Sequence, residues 1–149
     1  MSAYTKKYDS IVSRIISTCG VSSAMTVEDI LSGHTHSMVV TSRALWDTGS
    51  TQSCISSRLV KKLGLKVYQR REFQTPTGIV ALEMYRVNIS LDNKEIPGLI
   101  VPCIDLDENV DFLIGMDIIT LGDFAVTNME ERTTFSFRIP SAETIDFTK

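Results

Sequence analysis

The sequence predicts a mainly β protein, a small closed barrel or sandwich with one or two short helices. Short apolar or β-branched runs recur along the chain, and Gly, Pro, Asn and Asp turn signals separate them. That spacing is typical of small all-β folds. A chain of 149 residues has the size of one domain and can bury a core without disulfides or metals. We therefore predict a single domain.

Two strands and a helix are predicted before residue 64. The strands cover Ser10–Thr18, which is rich in β-branched residues, and Thr35–Trp46. The helix covers about Ser56–Leu63, because apolar residues recur there near helical spacing and Gly64 follows as a stop signal. Val27–Leu31 fits either one helical turn or a loop.

The second part of the chain is predicted to consist mostly of strands. Two of them, Val67–Gln74 and Val80–Ile89, flank the turn Thr75-Pro76-Thr77-Gly78 and form a hairpin with a mobile tip. A short helix is predicted over Met116–Gly122. The remaining predicted strands are Ile96–Val101, Val110–Ile114, Phe124–Thr127 and Phe135–Phe137.

The charge and length patterns exclude some classes of partner. The net charge of −3 provides no basic surface for nucleic acid or for an anionic membrane. The chain shows no apolar run that resembles a signal peptide or that has the length of a membrane span. Together with cysteines that have no obvious partner, this predicts a cytoplasmic protein.

The cysteines and histidines predict no metal centre and no cofactor. Cys19, Cys54 and Cys103 are odd in number and widely spaced, which disfavours a disulfide framework or a zinc site. His34 and His36 could ligate a metal as a pair, but no nearby Cys or carboxylate completes such a site. A surface loop is the simpler interpretation of the two histidines.

The most informative stretch runs from Trp46 to Thr51. It places the carboxylate of Asp47 on a glycine turn directly after an apolar strand. We expect Gly49 to permit a sharp turn, since glycine adopts positive φ without steric cost. The neighbouring Thr and Ser hydroxyls are expected to hydrogen-bond around the carboxylate and hold it. One such aspartate is only half of an acid–base pair, because that chemistry needs two carboxylates in different protonation states.

A second strand-to-glycine feature, Leu113-Ile114-Gly115, follows later in the chain. Either feature could be a plain turn. The combination, with an apolar strand before each and a short helix after each, resembles the retropepsin-like (retroviral-type) aspartic proteases, and the cellular and bacterial members more than the viral ones. The resemblance implies a small closed β-barrel of the acid-protease type with its core at residues 35–139. Residues 1–34 would form an N-terminal segment in the same domain, and residues 140–149 a tail.

The resemblance also implies where the second carboxylate lies. Retropepsin-like chains form homodimers on a two-fold axis, which would place Asp47 beside Asp47 of a second copy. Two carboxylates so close cannot both ionise comfortably, so the pair shares one proton, an effect for which aspartic proteases are the standard example. The ionised member activates a water molecule, and the protonated member donates to the scissile carbonyl oxygen.

The other matched positions take family roles by the same resemblance. Thr48 would bond to the opposite loop of the dimer, Gly49 would offer its carbonyl to substrate, and Ser50 would bond to the dyad carboxylates. Leu113, Ile114 and Gly115 would interlock with the Asp47 loop from beneath. A flap with its tip at Gln74–Ile79 would close over an extended peptide that binds as an added strand. The predicted substrate-binding residues are Ser50, Thr51, Gln74, Thr75, Thr77, Gly78 and Ile79.

Some positions depart from the family pattern, and some alternatives stay open. Thr51 and Met116 occupy the places where viral members often carry an acidic residue and its Arg partner. Asp117 fits a charge at a helix N-terminus better than a second catalytic acid. The strand Thr133–Ile139 could join a sheet between the two copies. Asp47 could also be a turn aspartate in a non-catalytic domain, or the fold could serve as a dimerisation or peptide-binding module without hydrolysis.

Overall fold

The protein is mainly β, and the computed structural model describes residues 1–33 and 38–149. Three short α-helices accompany the strands in this described part: α1 (Val27–Leu31), α2 (Ser57–Leu63) and α3 (Met116–Ile119), and a 3₁₀ turn covers Met129–Glu131. The strands are β1 (Ser2–Lys7), β2 (Ile16–Ser23), β3 (Val39–Trp46), β4 (Cys54–Ser56), β5 (Gln69–Thr75), β6 (Gly78–Leu91), β7 (Lys94–Ile104), β8 (Phe112–Ile114), β9 (Asp123–Thr127) and β10 (Thr134–Ile139).

The larger sheet closes into a barrel. Its strand order is β2-β3-β8-β4-β7-β6-β5, and an additional pairing of β2 with β6 closes a ring of six strands. Strand β8 pairs in parallel with β3 and antiparallel with β4, which lies parallel to β7. The mainly β, closed-barrel prediction is confirmed.

The smaller sheet contains three strands in the order β1-β10-β9. Strand β10 lies in the middle, so both of its edges are paired within its own chain, with Tyr4 opposite Phe137 on one side and Phe124 opposite Phe137 on the other. A sheet between two copies that includes the strand Thr133–Ile139 stays a prediction, and it would have to be extended at β1 or β9. The free edges of this sheet belong to β1 and β9.

An aromatic cluster joins the smaller sheet to the barrel. The ring of Trp46 lies 4.8 Å from that of Phe135, 4.9 Å from Phe137 and 6.0 Å from Phe124, measured between centroids. Trp46 is only 5% exposed and belongs to the core. Tilted aromatic pairs at these distances are favourable packing arrangements.

Several elements agree with the sequence predictions for identifiable reasons. Helix α2 begins after Ser56, whose hydroxyl accepts from Leu59 N at 3.2 Å, and ends at Gly64 with φ of 62°. These are ordinary N-cap and C-cap arrangements. The open alternative at Val27–Leu31 is resolved as a helix, because Thr26 and Asp29 form a capping box.

Other elements differ from the predictions. The strand predicted over Ser10–Thr18 begins only at Ile16 and runs on to Ser23. The residues before it are held in a loop instead, where Val12 N donates to Thr133 Oγ1 at 3.0 Å and Thr133 N donates to Ser10 O at 3.2 Å. Strands β1 and β4 were not predicted. The histidine pair at 34 and 36 and the predicted strand start at Thr35 lie outside the described residues.

The residues after β10 are fastened to the smaller sheet by Asp123. Its carboxylate accepts from Ala142 N at 2.8 Å, from the Ser141 hydroxyl, and from Arg138 Nε at 2.7 Å. These bonds, that from Ala142 N foremost, hold the pKa of Asp123 well below its usual range.

Gly122 lies directly before β9 and passes close to β10. A methyl group added at Gly122 would lie 1.7 Å from the Arg138 carbonyl oxygen, so only glycine fits at this position.

Neither a membrane-spanning helix nor a metal-binding group of side chains occurs among the described residues. In ranges 1–33 and 38–149, no helix is long and apolar enough to cross a membrane. In the same ranges, no group of three His, Cys, Asp or Glu side chains is arranged so that it could hold a metal ion.

Candidate active site

Asp47 stands at the end of β3, held from two sides. Its backbone N–H donates to the carbonyl of Ile114 at 2.9 Å, which continues the pairing of β3 with β8 by one residue. Its carboxylate oxygen Oδ1 accepts from the N–H of Gly49 at 2.9 Å. The side chain is half-buried. The backbone of a neighbouring strand therefore fixes where this carboxylate lies, and the turn fixes how it points.

The turn after Asp47 differs from the sequence expectation in two respects. Gly49 does not adopt positive φ; a methyl group there would instead lie 3.2 Å from Asp47 Oδ1, so its small size is what leaves the carboxylate room. The hydroxyls do not surround the carboxylate. Ser50 Oγ donates to the carbonyl of Gln52 at 2.7 Å, and the exposed Thr48 side chain makes no hydrogen bond with any described residue.

The second glycine turn lies directly against this loop. Met116 N donates to the carbonyl of Ser50 at 2.8 Å. A methyl group added at Gly115 would meet the carbonyl oxygens of Ser50 and Gln52 at 2.8 Å each, a separation that real Cβ atoms do not reach. Gly115 is thus the residue that lets the two chain segments approach so closely.

A clamp that sequence reasoning missed joins the two loops on the side of α3. Ser53, which is fully buried, donates from its N–H to Asp117 Oδ2 at 3.0 Å and from its hydroxyl to Asp117 Oδ1 at 2.7 Å. The same hydroxyl accepts from Gly115 N at 3.0 Å. Asp117 also accepts from Ile118 N in the first turn of α3. Nothing local in the sequence signals Ser53, because its partners lie about sixty residues away.

We expect Ser53→Ala to destabilise the protein and to loosen the Asp47 loop. The change removes one donor to a carboxylate and the acceptor for Gly115 N, and such losses cost about 1–3 kcal/mol of unfolding free energy. Urea denaturation measures the effect. The matched control is Ser57→Ala on the exposed start of α2, where the side chain makes no hydrogen bond with a described residue. Equal unfolding free energies for the two variants would contradict the clamp.

The strand register places an apolar strip beside Asp47, in which Leu113 and Cys54 are buried and Leu45 is half-buried. Leu45 pairs with Leu113, and Leu113 pairs with Cys54, so the three side chains lie side by side. Their strand neighbours, including Trp46 and Ile55, belong to the core instead, as alternation along a strand requires. Burial, and then the charges of Asp117 and Asp47, raise the pKa of Cys54 to about 11. Its thiol therefore stays protonated and behaves as a small apolar group.

The predicted flap is the hairpin of β5 and β6. Gln74 pairs with Ile79 and Thr75 with Gly78, and the Thr75 hydroxyl donates to the Gly78 carbonyl at 2.7 Å across the turn. Ile79 is 65% exposed at the tip. No hydrogen bond among the described residues joins these residues to the Asp47 loop. The tip is thus closed on itself and presents an apolar side chain outward.

The base of the hairpin is tied by Glu83. Its carboxylate accepts from the Tyr85 hydroxyl at 2.9 Å and from Arg70 at 3.1 Å. Burial, together with the neighbouring Glu83, raises the pKa of Tyr85 to about 12, so the phenol remains a donor. Arg70 is well exposed, and its ion pair contributes little by itself.

Comparisons with known proteins bear on the family and the fold of this chain. The family model described as aspartyl protease matches residues 32–118, more than half of the chain. A retropepsin-like aspartic protease from Rickettsia conorii is similar in structure, with 14% identity, a TM-score of 0.55, and coverage of 91% of this chain and 92% of that one. The retroviral protease-like domain of Ddi1 from Leishmania major aligns with 17% identity and a TM-score of 0.48, covering 84% of this chain and 95% of that one. A comparison with the curated proteins found no match.

Proposed function

This chain belongs to the aspartyl protease family, and on that premise we propose that it is an aspartic endopeptidase with Asp47 as its catalytic carboxylate. The observation that carries the proposal is the placement of Asp47. It follows an apolar strand, is oriented by Gly49 N–H, and sits in a loop that interlocks with the turn at Gly115. A turn aspartate in a purely structural domain would not need this support from a second glycine turn.

The second carboxylate would come from another copy of the chain. Asp117 is the carboxylate that the sequence offers as an alternative second acid within the chain. Both of its oxygens accept hydrogen bonds, from Ser53 and from the start of α3. Asp47, by contrast, uses one oxygen for Gly49 and is followed by the exposed Thr48. A two-fold axis beside Thr48 would bring two Asp47 side chains together and let each Thr48 bond to the opposite loop. Homodimers of this symmetry are common.

The proposed reaction needs only water and the two carboxylates. The ionised Asp47 takes a proton from a water molecule, whose oxygen bonds to the scissile carbonyl carbon. The protonated Asp47 of the second copy gives its proton to the carbonyl oxygen, producing a tetrahedral diol. The first Asp47 then gives the proton it took from water to the amide nitrogen as the carbon–nitrogen bond breaks, and a hydroxyl of the diol gives its proton to the second Asp47 as the carboxyl group forms. No covalent link to the enzyme forms, and the dyad ends with one shared proton as it began.

The proposed substrate is an extended peptide with apolar side chains next to the scissile bond. The strip formed by Leu45, Leu113 and Cys54 lies beside Asp47 and offers nothing polar to pair with a charged side chain. Ile79 is exposed at the hairpin tip, and in the proposed complex it would lie over the bound peptide. An extended peptide between strip and hairpin would be held by backbone hydrogen bonds, with alternate side chains read by the strip.

We expect hydrolysis per chain to rise with protein concentration and to level off when the dimer is complete. The test combines cleavage of an apolar peptide library with sedimentation over the same concentration range, with and without a statine-containing peptide that mimics the tetrahedral diol. The statine peptide should abolish cleavage and shift the chain towards dimer. Constant activity per chain where sedimentation shows only monomer would refute the intersubunit dyad. Peptide binding without any cleavage would instead identify a binding module.

A further inference from the structure

The N-terminal strand reaches the residue immediately before Asp47. Tyr4 lies in the middle of β1, opposite Phe137 of β10. Its ring stands edge-on to Phe135 at 5.7 Å and lies 6.4 Å from the ring of Trp46. Tyr4 therefore closes one side of the aromatic cluster that packs around Trp46.

The Tyr4 hydroxyl points towards a buried polar pair. Trp46 Nε1 donates to Ser17 Oγ at 2.8 Å, and Ser17 is only 2% exposed. The Tyr4 oxygen is shielded from solvent and has no hydrogen bond of standard geometry among the described residues. Burial raises the pKa of Tyr4, while the neighbouring Ser17 and Trp46 groups act in the opposite direction. The phenol thus stays neutral, next to the serine that accepts from the indole.

Trp46 is the residue before Asp47, so backbone hydrogen bonds connect its position to that of the carboxylate. Its N–H donates to Ile15 O at 2.9 Å, and the next N–H, that of Asp47, donates to Ile114 O at 2.9 Å. A displacement of the buried indole that rotation of the side chain does not absorb moves this peptide unit or breaks one of these bonds. Misplacement of a catalytic group by about 1 Å can lower a rate by roughly a hundredfold. The cluster is therefore in a position to control the chemistry without touching substrate.

From this geometry we propose that β1 is a positioning element of the active site, and that Tyr4 acts through Trp46 to hold Asp47 in its reactive place. The inference rests on the proposed function for its catalytic consequence. Its structural part, that Tyr4 holds Trp46, does not depend on activity. It assigns a role to the beginning of the chain, which would make hydrolysis depend on the docking of β1 against β10.

The chain offers a direct probe, because Trp46 is its single tryptophan. Four quantities are measured for the Tyr4→Leu variant: Trp46 emission, its quenching by acrylamide, kcat and KM. The Tyr4→Met variant is measured in parallel, so that a folded protein without the ring is available if Tyr4→Leu fails to fold. We expect a red-shifted, more readily quenched emission and a fall in kcat of at least about tenfold, with KM changed by less than about twofold. Tyr4→Phe keeps the ring and should restore most of kcat.

Two controls separate positioning from general damage. Tyr8→Leu makes the same substitution at a half-buried tyrosine that packs on the core and donates to Ile16 O, but makes no ring contact with Trp46. Thr5→Ala disturbs the opposite face of β1, where Thr5 Oγ1 lies 2.9 Å from Ser136 Oγ. Both controls should leave Trp46 emission and kcat near those of the unmodified chain.

Failure of the positioning role and failure of the proposed function give different results. If folded Tyr4 variants keep the emission, quenching and kcat of the unmodified chain, the positioning role is overturned. The same holds if Tyr8→Leu reproduces all of their changes. If the unmodified chain hydrolyses no peptide, the proposed function fails, while the emission and quenching measurements still decide whether Tyr4 holds Trp46.

Discussion

Asp47→Asn should abolish peptide hydrolysis while leaving the fold intact. The asparagine side chain has the same shape, and its amide oxygen can still accept from Gly49 N, so the loop loses little. It can neither take a proton from water nor share one across a dyad. Removing a general acid–base group typically costs about 10²–10⁴-fold in rate, and here both members of the dyad would be lost together. The measurement is kcat/KM for peptide cleavage, with melting temperature as the check on folding.

A matched control uses an aspartate outside the site. Asp105 is exposed after β7, and its side chain makes no hydrogen bond with a described residue, so Asp105→Asn should change neither activity nor melting temperature. Cleavage that survives in purified Asp47→Asn protein would show that another group activates the water. The proposed function would then be wrong, however well the fold matches.

The second large effect is expected from Gly115→Ala. The added methyl group would lie 2.8 Å from backbone atoms of Ser50 and Gln52, which cannot swing aside as a side chain could. The two loops must separate, and overpacking of this kind costs about 1–3 kcal/mol of unfolding free energy. The same separation moves the loop that carries Asp47, so we expect a loss of about a hundredfold in kcat as well. Urea denaturation and steady-state kinetics measure the two effects.

Gly64→Ala provides the comparison for this variant. Gly64 ends α2 with φ of 62°, and a methyl group there would meet no atom within 4 Å. Its cost is conformational, about 1 kcal/mol, and lies far along the chain from the Asp47 loop. A Gly115→Ala protein as stable and active as Gly64→Ala would mean that the loops tolerate separation, and that their interlock does not hold Asp47.

The parts of the fold that were predictable are those with local signals. Ser56 and Gly64 mark the two ends of α2 in the sequence, and Pro76 with Gly78 marks the hairpin turn between β5 and β6. The Asp47 loop could be located because a carboxylate on a glycine turn after an apolar strand is a compact pattern. Each of these features depends on residues within a few positions of one another.

The parts that were missed depend on residues far apart in the chain. Strand β1 is polar on one side and becomes a strand only by pairing with β10, near the other end of the described chain. Strand β4 is three residues long, too short for an alternating pattern. The bond between Ser53 and Asp117 exists only after β8 has been placed between β3 and β4. Tertiary contacts decide all three, so no local pattern could indicate them.

The position of β10 between β1 and β9 has a consequence for how the molecule folds. Trp46 is enclosed by rings from β1 on one side and from β10 on the other, so its surroundings are complete only when the two distant ends of the described chain have met. Contacts between residues so far apart in sequence cost loop-closure entropy before their packing lowers the free energy, and this slows folding. During synthesis on the ribosome, the support behind Asp47 therefore stays open until residue 139 has emerged, long after the aspartate itself.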